Sequence, residues 1–530
     1  MQRRLTLLSA VAVVIIAGLL PLAAMMIGTV TVDGTLTLSV YRKLFGDPAR
    51  YLNSVSHTLV LAGLTAVIAL GLGVALGLLL GKTDVPLRRT FAVLFAVPLF
   101  MPPYILAVSW SDLFARNGPV FGLLPESVST AFSRWLYGLP GCVWVLVSAL
   151  MPIVMILTIM SLRTLNPRLE EAARVSANWS RTLRHVTLPI VQPAIIFAGL
   201  IVFLLAVGEV AVPMLLRYPV YPVETLVQFA AFYDFAAAAA TAVPLLLLAA
   251  LLVGLERRYL RDRAYRVLAA TPGKAPLQVP LREWRIPAAL TVGAIAGCFV
   301  LLPMGALVHA SLSPLGYVDA WRQTADSLMR TVLYAVIGAT LLTAVGFLCG
   351  YLIERRAARW WRAVDTLTLL LFTVPGTVIG VGLIALWNHP GTGWLYASSA
   401  MIILAYLAQY SALTTRISLA TLASLPASLE DAAKLSGAPW FARLGRVLVP
   451  AALPGVIAAW IVAFIFCLRD VGASMLVYPA GADPLPVRIF TLMANGSPSL
   501  IAAACVTLVA VNLAMLAVLA ALLRMLAGHR

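Results

Sequence analysis

Twelve stretches of mostly apolar residues run through the sequence, separated by short polar segments. A helix needs about 20 apolar residues to span the roughly 30 Å hydrocarbon core of a bilayer. Only 11% of the 530 residues are charged, which is far fewer than a soluble fold of this size needs to cover its surface. The sequence therefore predicts an all-α polytopic membrane protein with about 12 transmembrane helices. The predicted spans are residues 5–30, 58–80, 91–111, 140–162, 192–213, 237–255, 287–309, 331–353, 364–387, 394–415, 452–470 and 499–522.

The basic residues lie mainly in alternate loops. If the N-terminus is cytoplasmic, the cytoplasmic segments hold 28 of the 38 Lys and Arg residues and the outer loops hold nine. This asymmetry is typical of the positive-inside rule. It predicts a multi-pass membrane protein with both termini in the cytoplasm. Because the net charge of +17 follows membrane orientation, we do not expect nucleic acid as a partner.

The second half of the sequence repeats special residues of the first half in one register. Residues that recur 273 positions later are Ser54, Thr58, Gly73, Gly77, Lys82 and Pro102, which align with Ser327, Thr331, Gly346, Gly350, Arg355 and Pro375. At an offset of 260 to 261, Glu171 aligns with Asp431 and Glu209 with Asp470. We predict a duplication of six spans, with repeats at residues 1–255 and 287–530 and a basic cytoplasmic linker at 256–286. Six is an even number, so both repeats have the same orientation and a pathway is expected at their interface.

Two predicted cytoplasmic loops, at about residues 163–191 and 416–451, carry nearly the same charged helix. Each helix has a proline at its start, in Asn166-Pro167 and in Leu425-Pro426. An acid stands four residues before a base in both, which predicts the ion pairs Glu170–Arg174 and Glu430–Lys434. Gly437 suits a left-handed helix end.

The small residues of these helices allow close approach by another molecule. Ala172 and Ala173 recur as Ala432 and Ala433. A short amphipathic helix of this kind is suited to docking in a groove on another protein. The alternative is an interfacial helix that lies on the lipid, but alanine is a poor membrane anchor. We therefore predict docking to a cytoplasmic protein.

Three charged residues lie within predicted spans and away from the first residues of a span: Glu209, Arg469 and Asp470. Charged groups at this depth face protein or water because exposure to lipid is costly. In one interpretation, the two acids line the entrance, where they contact a cation or form an outer gate. In the other, Arg469 neutralises them in an ion-pair cluster that fixes the helices. We expect gating or packing rather than direct solute contact.

Other residues near the predicted pathway have simpler interpretations. Pro102 and Pro375 are expected to bend the third and ninth spans. Tyr104 is expected near the outer opening, in the interfacial aromatic belt or in contact with a partner. Two carboxylates are too few for a stable metal site, and the five His and five Cys residues show no metal-ligand spacing.

The duplicated loops resemble the coupling-loop signature of ABC importer permeases, which reads Glu-Ala-Ala, three residues, Gly. The second repeat fits it with Asp431, Ala432, Ala433 and Gly437, whereas in the first repeat Ala177 replaces the Gly. Further motifs look like those of the fused ferric-iron permeases: Pro102-Pro103-Tyr104, Val374-Pro375-Gly376-Thr377 and Leu485-Pro486-Val487-Arg488-Ile489-Phe490. Thiamine permeases are also fused in this way, so thiamine or another small solute is the alternative to ferric iron.

The resemblance implies a type I ABC importer permease fold and a transport subunit that is not itself an enzyme. A periplasmic or anchored binding protein would deliver the solute. Two copies of a separate ATPase would bind ATP and Mg²⁺, and this chain itself would bind no cofactor. The residues implied to contact the ATPase are Glu170, Glu171, Ala172, Ala173, Ala177, Glu430, Asp431, Ala432, Ala433 and Gly437. A different class, an ion-coupled secondary transporter, would need carboxylates at the membrane midplane, and none lies clearly there.

Overall fold

The computed structural model describes residues 2–32, 35–44, 46, 48–114, 125–232, 234–259 and 277–528. The centre of the predicted linker, residues 260–276, lies outside them. Within the described part, helices occupy the positions of all twelve predicted spans. Eight long helical segments are Gln2–Val30, Pro48–Lys82, Leu139–Arg163, Trp179–Val207, Phe235–Tyr259, Arg282–Ala310, Pro314–Glu354 and Pro498–Gly528. We number the spans 1 to 12 in chain order, and span 10 is the helix Ala400–Ala423.

Spans 3, 9 and 11 are bent rather than straight. Span 3 consists of Arg88–Phe100 and Pro103–Leu113, which meet at 99°. In span 9, Trp361–Thr373 and Gly376–Trp387 meet at 109°. These breaks confirm the bends expected at Pro102 and Pro375, because a proline cannot donate the backbone hydrogen bond that continues a helix. Span 11 is bent by 79°.

The bend in span 11 was not predicted. It separates Trp440–Ala451 from Leu453–Leu468, so the span begins about a dozen residues before the predicted start at 452. Pro450 and Pro454 flank the break. A turn of π-helix, Leu444–Leu448, continues the helix back to Trp440. Span 5 has an equivalent π-helical turn at Leu183–Thr187, which likewise moves its start from the predicted 192 to 179.

Shorter elements complete the described fold. The short helices are Ser39–Leu44, Glu126–Leu136, Pro167–Ser176, Ala211–Leu215, Tyr221–Ala230, Gly393–Tyr396, Ala427–Leu435, Ser474–Val477 and Leu485–Leu492. Two-residue strands, Thr31–Val32 and Thr35–Leu36, form an antiparallel hairpin in which Thr31 pairs with Leu36.

Glycines allow the same close helix packing in both halves of the chain. Span 2 meets span 4 at Gly73 and Gly77, and span 8 meets span 10 at the aligned Gly346 and Gly350. A Cβ atom on Gly346 would lie 2.2 Å from Thr414 Oγ1, and one on Gly77 would lie 2.6 Å from Thr158 Cβ. Small residues four positions apart let membrane helices approach until their backbones are in contact. These pairs position the two longest membrane helices.

A second shared contact holds the N-terminal halves of spans 2 and 8. The Thr58 hydroxyl accepts a 2.8 Å hydrogen bond from the Tyr221 N–H, and the aligned Thr331 hydroxyl accepts one of 2.6 Å from the Leu485 N–H. Each threonine thereby satisfies the first backbone donor of a short helix that would otherwise be unpaired in a buried position. In each half, therefore, a threonine of a long membrane helix holds the start of a short helix.

The first span of each half packs against the other half. Span 1 lies against span 9, where a Cβ on Gly382 would be 3.1 Å from the Pro21 backbone. Span 7 lies against span 4, and the Ser148 hydroxyl donates a 2.7 Å hydrogen bond to the Phe299 carbonyl. Spans 1 and 7 therefore add contacts between the halves at the periphery of the bundle to those at its centre.

We predict that Gly346→Ala destabilises the protein by about 1–3 kcal/mol, because the added methyl group overpacks a site with no free space. Thermal unfolding of the purified chain in detergent measures the effect. Gly71→Ala, in span 2, is the matched control: a Cβ there meets nothing within 4 Å. Equal melting temperatures for the two variants would contradict the packing argument.

Candidate functional site

A cavity of about 120 Å³ lies between the two halves of the bundle. The breaks of spans 3 and 9 form two of its walls, and the turns after spans 5 and 11 form the others. All the candidate pathway residues from the sequence line it: Pro102, Tyr104, Glu209, Pro375, Arg469 and Asp470. Residues from distant parts of the sequence therefore come together as one site.

The two acids lie just before short helices, which begin at Ala211 and Ser474, rather than inside spans. Spans 5 and 11 end at Val207 and Leu468, so Glu209 and Asp470 fall in the turns that follow, which corrects the predicted span ends at 213 and 470. Glu209 Oε1 accepts hydrogen bonds from the N–H groups of Ala211 (3.0 Å) and Val212 (3.3 Å). A carboxylate at this position satisfies donors that have no partner within the helix.

Asp470 has the same role with more partners. Its Oδ2 accepts hydrogen bonds from the Ser474 N–H (2.8 Å) and hydroxyl (2.5 Å), and its Oδ1 accepts one of 2.6 Å from the Tyr410 hydroxyl. Both oxygens of this carboxylate are therefore occupied by protein donors. In Glu209 one oxygen carries both bonds.

Arg469 does not form the ion-pair cluster that one interpretation of the sequence predicted. Its Nη1 donates a 2.9 Å hydrogen bond to the Leu99 carbonyl, and its guanidinium carbon lies 5.0 Å from the centroid of the Phe466 ring. Among the described residues, no ion pair within 4.0 Å joins it to Glu209 or Asp470. The aligned residue in the first half is Gly208, so one side of the cavity carries a guanidinium group that the other side lacks.

Tyr104 is buried rather than placed in an interfacial belt. Its side chain is 1% exposed, and its hydroxyl donates a 3.2 Å hydrogen bond to the Pro486 carbonyl. Its ring also packs edge-on against Phe490. Because Pro486 and Phe490 belong to the second half, Tyr104 joins the two halves beside the cavity.

Among the described residues, no group of three or more His, Cys, Asp or Glu side chains is placed to hold a metal ion.

The two duplicated helices form as predicted, one between spans 4 and 5 and the other between spans 10 and 11. The first surface helix, Pro167–Ser176, is capped by the Asn166 side chain, which accepts a 3.1 Å hydrogen bond from the Arg168 N–H. The second surface helix, Ala427–Leu435, ends at Gly437 with φ 78°, which confirms the left-handed end. Ala177, which aligns with Gly437, has an extended backbone instead (φ −137°). The chain therefore leaves the first surface helix in a different direction from that in which it leaves the second.

Each surface helix is tied by its first acid to the C-terminal end of a long membrane helix. Glu170 forms a buried ion pair with Lys82 of span 2 and accepts a 2.7 Å hydrogen bond from the Thr187 hydroxyl. Glu430 accepts a 2.7 Å hydrogen bond from the Tyr351 hydroxyl and lies 3.7 Å from Nε of Arg355. Lys82 and Arg355 are aligned in the two halves, so the anchor is duplicated together with the helix.

These anchors replace the ion pairs predicted within each helix. Glu170 does not pair with Arg174, whose Nη1 donates a 2.8 Å hydrogen bond to the Ala177 carbonyl and whose guanidinium group stacks 4.6 Å from the Trp179 ring centroid. No ion pair joins Glu430 to Lys434 within the described chain. The prediction of these pairs was wrong because each acid serves as the counter-charge of a cation at the end of a membrane helix, the buried Lys82 or the half-buried Arg355.

The outward faces of the surface helices carry the same kinds of residue. Glu171 and Ala172 are exposed in the first helix, as are Asp431 and Ala432 in the second. An apolar residue completes each face, and Val175 and Leu435 are both 89% exposed. Sequence reasoning missed these two, although they align at the offset of 260. An exposed aliphatic side chain at the same place in two charged helices indicates a contact with another protein.

The comparisons with known proteins agree with this geometry. Residues 343–527 match the family described as binding-protein-dependent transport system inner membrane component. A putative ferric transport system permease protein of Haemophilus influenzae is 24% identical over 82% of this chain and 71% of its own length. The corresponding protein of Actinobacillus pleuropneumoniae is 23% identical over 83% of the chain and 67% of its own length. A spermidine/putrescine permease protein of H. influenzae is 29% identical over 32% of the chain and 67% of its own length.

The chain is therefore similar to the permease subunits of ABC importers and, over most of its length, to ferric-iron permeases, and its apolar helices agree with a multi-pass protein of the inner membrane.

We predict that Lys82→Met loosens the first surface helix, because loss of one partner leaves Glu170 as an uncompensated buried charge at a cost of about 3–5 kcal/mol. Hydrogen exchange at the backbone amides of residues 167–176 should be faster in this variant. The double variant Lys82→Met/Glu170→Gln removes both charges and should recover most of the protection. Equally fast exchange in the double variant would mean that the charge pair is not the anchor.

Proposed function

We propose that this chain conducts ferric iron into the cytoplasm and that separate ATPase subunits supply the energy. The observation that carries the coupling proposal is the duplicated surface helix, with the same membrane anchor and the same outward face in both halves. Two equivalent docking faces suit two copies of one ATPase. The ferric-iron relatives support the solute, because their similarity extends over both halves of the chain.

The ATPase must be on another chain if this sequence cannot bind ATP. A phosphate-binding loop reads Gly, four residues, Gly-Lys-Ser/Thr. The closest approach is Gly81-Lys82-Thr83, but Leu76 stands where the first glycine is needed. Lys82 is also buried against Glu170 at the end of a continuous helix. These residues therefore serve as an anchor, and the sequence supports an external source of energy.

Movement of the surface helices would be transmitted to the cavity through spans 2 and 8. Glu171, Val175, Asp431 and Leu435 would contact the ATPase, whereas Glu170 and Glu430 face inward and hold the helices to the spans. Since Lys82 is the last residue of span 2, a displacement of the first surface helix acts directly on a membrane helix. The acids thus divide into a docking pair and an anchoring pair.

The cavity would be the outer part of the solute pathway. An apolar cavity of about 220 Å³ follows it towards the cytoplasmic ends of the helices and shares the lining residues Leu204, Phe372 and Thr373 with it. Apolar walls of this kind would keep a pore closed to water and ions until the helices move apart. With both termini in the cytoplasm, the surface helices would lie on the side of the ATPase.

Ferric iron prefers hard oxygen ligands, and the cavity supplies few of them. Asp470 is occupied by three protein donors, and Glu209 caps a helix through one oxygen. The guanidinium group of Arg469 adds a positive charge beside them. This arrangement favours brief passage over storage of a cation, as a transport pathway requires.

We predict that Glu171→Lys/Asp431→Lys prevents assembly with the ATPase while the chain still inserts, because both side chains are exposed on the docking faces. Loss of charge complementarity at an interface should lower the amount of copurified ATPase by at least about tenfold. Glu283→Lys, at another exposed acid of the same membrane side, is the control for the charge change. Normal assembly of the double variant would refute the docking assignment.

The solute and the energy source can be tested in one reconstitution with the ATPase and the binding protein in liposomes. We predict ATP-dependent accumulation of radiolabelled ferric iron that excess thiamine does not reduce. Accumulation of thiamine without iron would overturn the solute and leave the ATP-driven mechanism intact. Uptake that continues without ATP and stops with a proton or sodium ionophore would instead identify a secondary transporter.

A further inference from the structure

A basic and aromatic turn joins spans 8 and 9 at the side of the membrane that carries the surface helices. We call it the Arg/Trp turn and define it as Arg356, Arg359, Trp360, Trp361 and Arg362. All except the half-buried Trp361 are exposed. The guanidinium carbons of Arg356 and Arg362 lie 5.5 and 5.3 Å from the centroid of the Trp361 ring. Two positive charges are therefore held at one indole ring, and Arg359 adds a third exposed charge to the turn.

An apolar groove of about 420 Å³ begins at this turn and runs into the membrane. Span 1 and the first half of span 9 form its walls, and both helices run outward from the cytoplasmic side. The wall formed by span 1, from Val11 to Leu19, is about 12 Å long, because a helix rises 1.5 Å per residue. The main lining residues are Val11, Ile15 and Leu19 of span 1 and Ala363, Val364 and Leu367 of span 9, with Trp360 at the cytoplasmic end. Charge lies at the mouth, and only apolar surface and one threonine lie below it.

In the first half of the chain, the end of the linker covers the equivalent surface with its backbone. There Thr83 and Arg88 align with Arg356 and Trp361. The Val279 N–H donates a 2.8 Å hydrogen bond to the Lys82 carbonyl, and the Leu281 N–H donates one of 2.9 Å to Asp84. Arg88 donates to the Thr83 carbonyl at 3.0 Å. The arginines of the second half thus stand where the first half has a covering segment and fewer charges.

We propose that the Arg/Trp turn and the groove bind one anionic phospholipid of the cytoplasmic leaflet. The headgroup phosphate would contact the arginines, and one acyl chain would fill the groove between spans 1 and 9. Arginine forms charge-assisted hydrogen bonds with phosphate oxygens, and basic residues at this depth attract anionic headgroups. Because an acyl chain and a phosphate are needed together, a membrane lipid fits the whole site and free phosphate fits only its mouth.

The bound lipid would hold span 1 against the second half of the bundle. It would also lie close to the second surface helix, because Arg355, next to Arg356 in the chain, anchors Glu430. This inference depends on the membrane orientation but not on the identity of the solute. Failure of iron transport and failure of lipid binding are therefore separate results.

Native mass spectrometry of the purified chain, titrated with phosphatidylglycerol or phosphatidylcholine, tests the proposal. We expect one phosphatidylglycerol to be retained in preference to phosphatidylcholine. Arg356→Gln/Arg359→Gln/Arg362→Gln should weaken this binding by at least about tenfold, given the contribution of each basic residue at an anionic surface. The control Arg89→Gln/Arg168→Gln/Arg184→Gln removes three exposed charges elsewhere on the same side and should bind as the unmodified chain does.

A second variant tests the groove without changing the charges. Ala363→Trp places a large side chain in the groove and should also weaken phosphatidylglycerol binding by about tenfold. Equal binding of both lipids would show only a general aromatic belt and overturn the proposal. So would equal losses in the two triple variants, unchanged binding in Ala363→Trp, or displacement of the lipid by inorganic phosphate.

Discussion

The ion pairs at the inner ends of spans 2 and 8 connect the membrane part of this protein to its aqueous surface. A short helix on a surface can transmit a force only if it is fixed to what it must move. Lys82 and Glu170 are each 1% exposed, so their charges compensate each other where water does not reach them. The pair Arg355 and Glu430 is 17% and 13% exposed and shares its carboxylate with Tyr351 and Arg443. A buried pair is broken only at high cost, whereas a shared and partly hydrated one can exchange partners. The first surface helix should therefore move rigidly with its span, and the second should have more freedom.

Features of the fold that depend on local chemistry could be predicted from the sequence. Pro102 and Pro375 indicated breaks because proline lacks a backbone donor, and Gly437 indicated a left-handed end because glycine lacks a side chain. The size of each bend and the break at Ala452 depend on packing across the bundle, which no local pattern encodes. Glu170 shows the same limit: its neighbour four residues away in the helix is visible in the sequence, but its partner Lys82 lies 88 residues away.

The site shows a similar division between what was predictable and what was not. The alignment of Glu209 with Asp470 indicated that the two acids have equivalent roles. Their role as helix caps depends on where spans 5 and 11 end, and apolar residues continue past both ends in the sequence. Tyr104 was expected at an interface because aromatic residues are common there, yet its hydroxyl finds a carbonyl of the other half. Val175 and Leu435 could have been found, since each is an apolar residue in a charged helix and the two align.

The cavity lies where the backbone is irregular, and this has a consequence for how the pathway treats its solute. Non-helical backbone is tolerated at membrane depth only where it is buried in protein or lines a cavity. Breaks in spans 3 and 9 and turns after spans 5 and 11 all meet at this one place, so many backbone donors need partners there. Glu209 and Asp470 supply those partners and are held by them. A carboxylate that must keep its helix cap cannot turn fully towards a passing cation. The requirement to satisfy the backbone would therefore limit how strongly the proposed pathway binds its solute, and weak binding would allow the solute to leave.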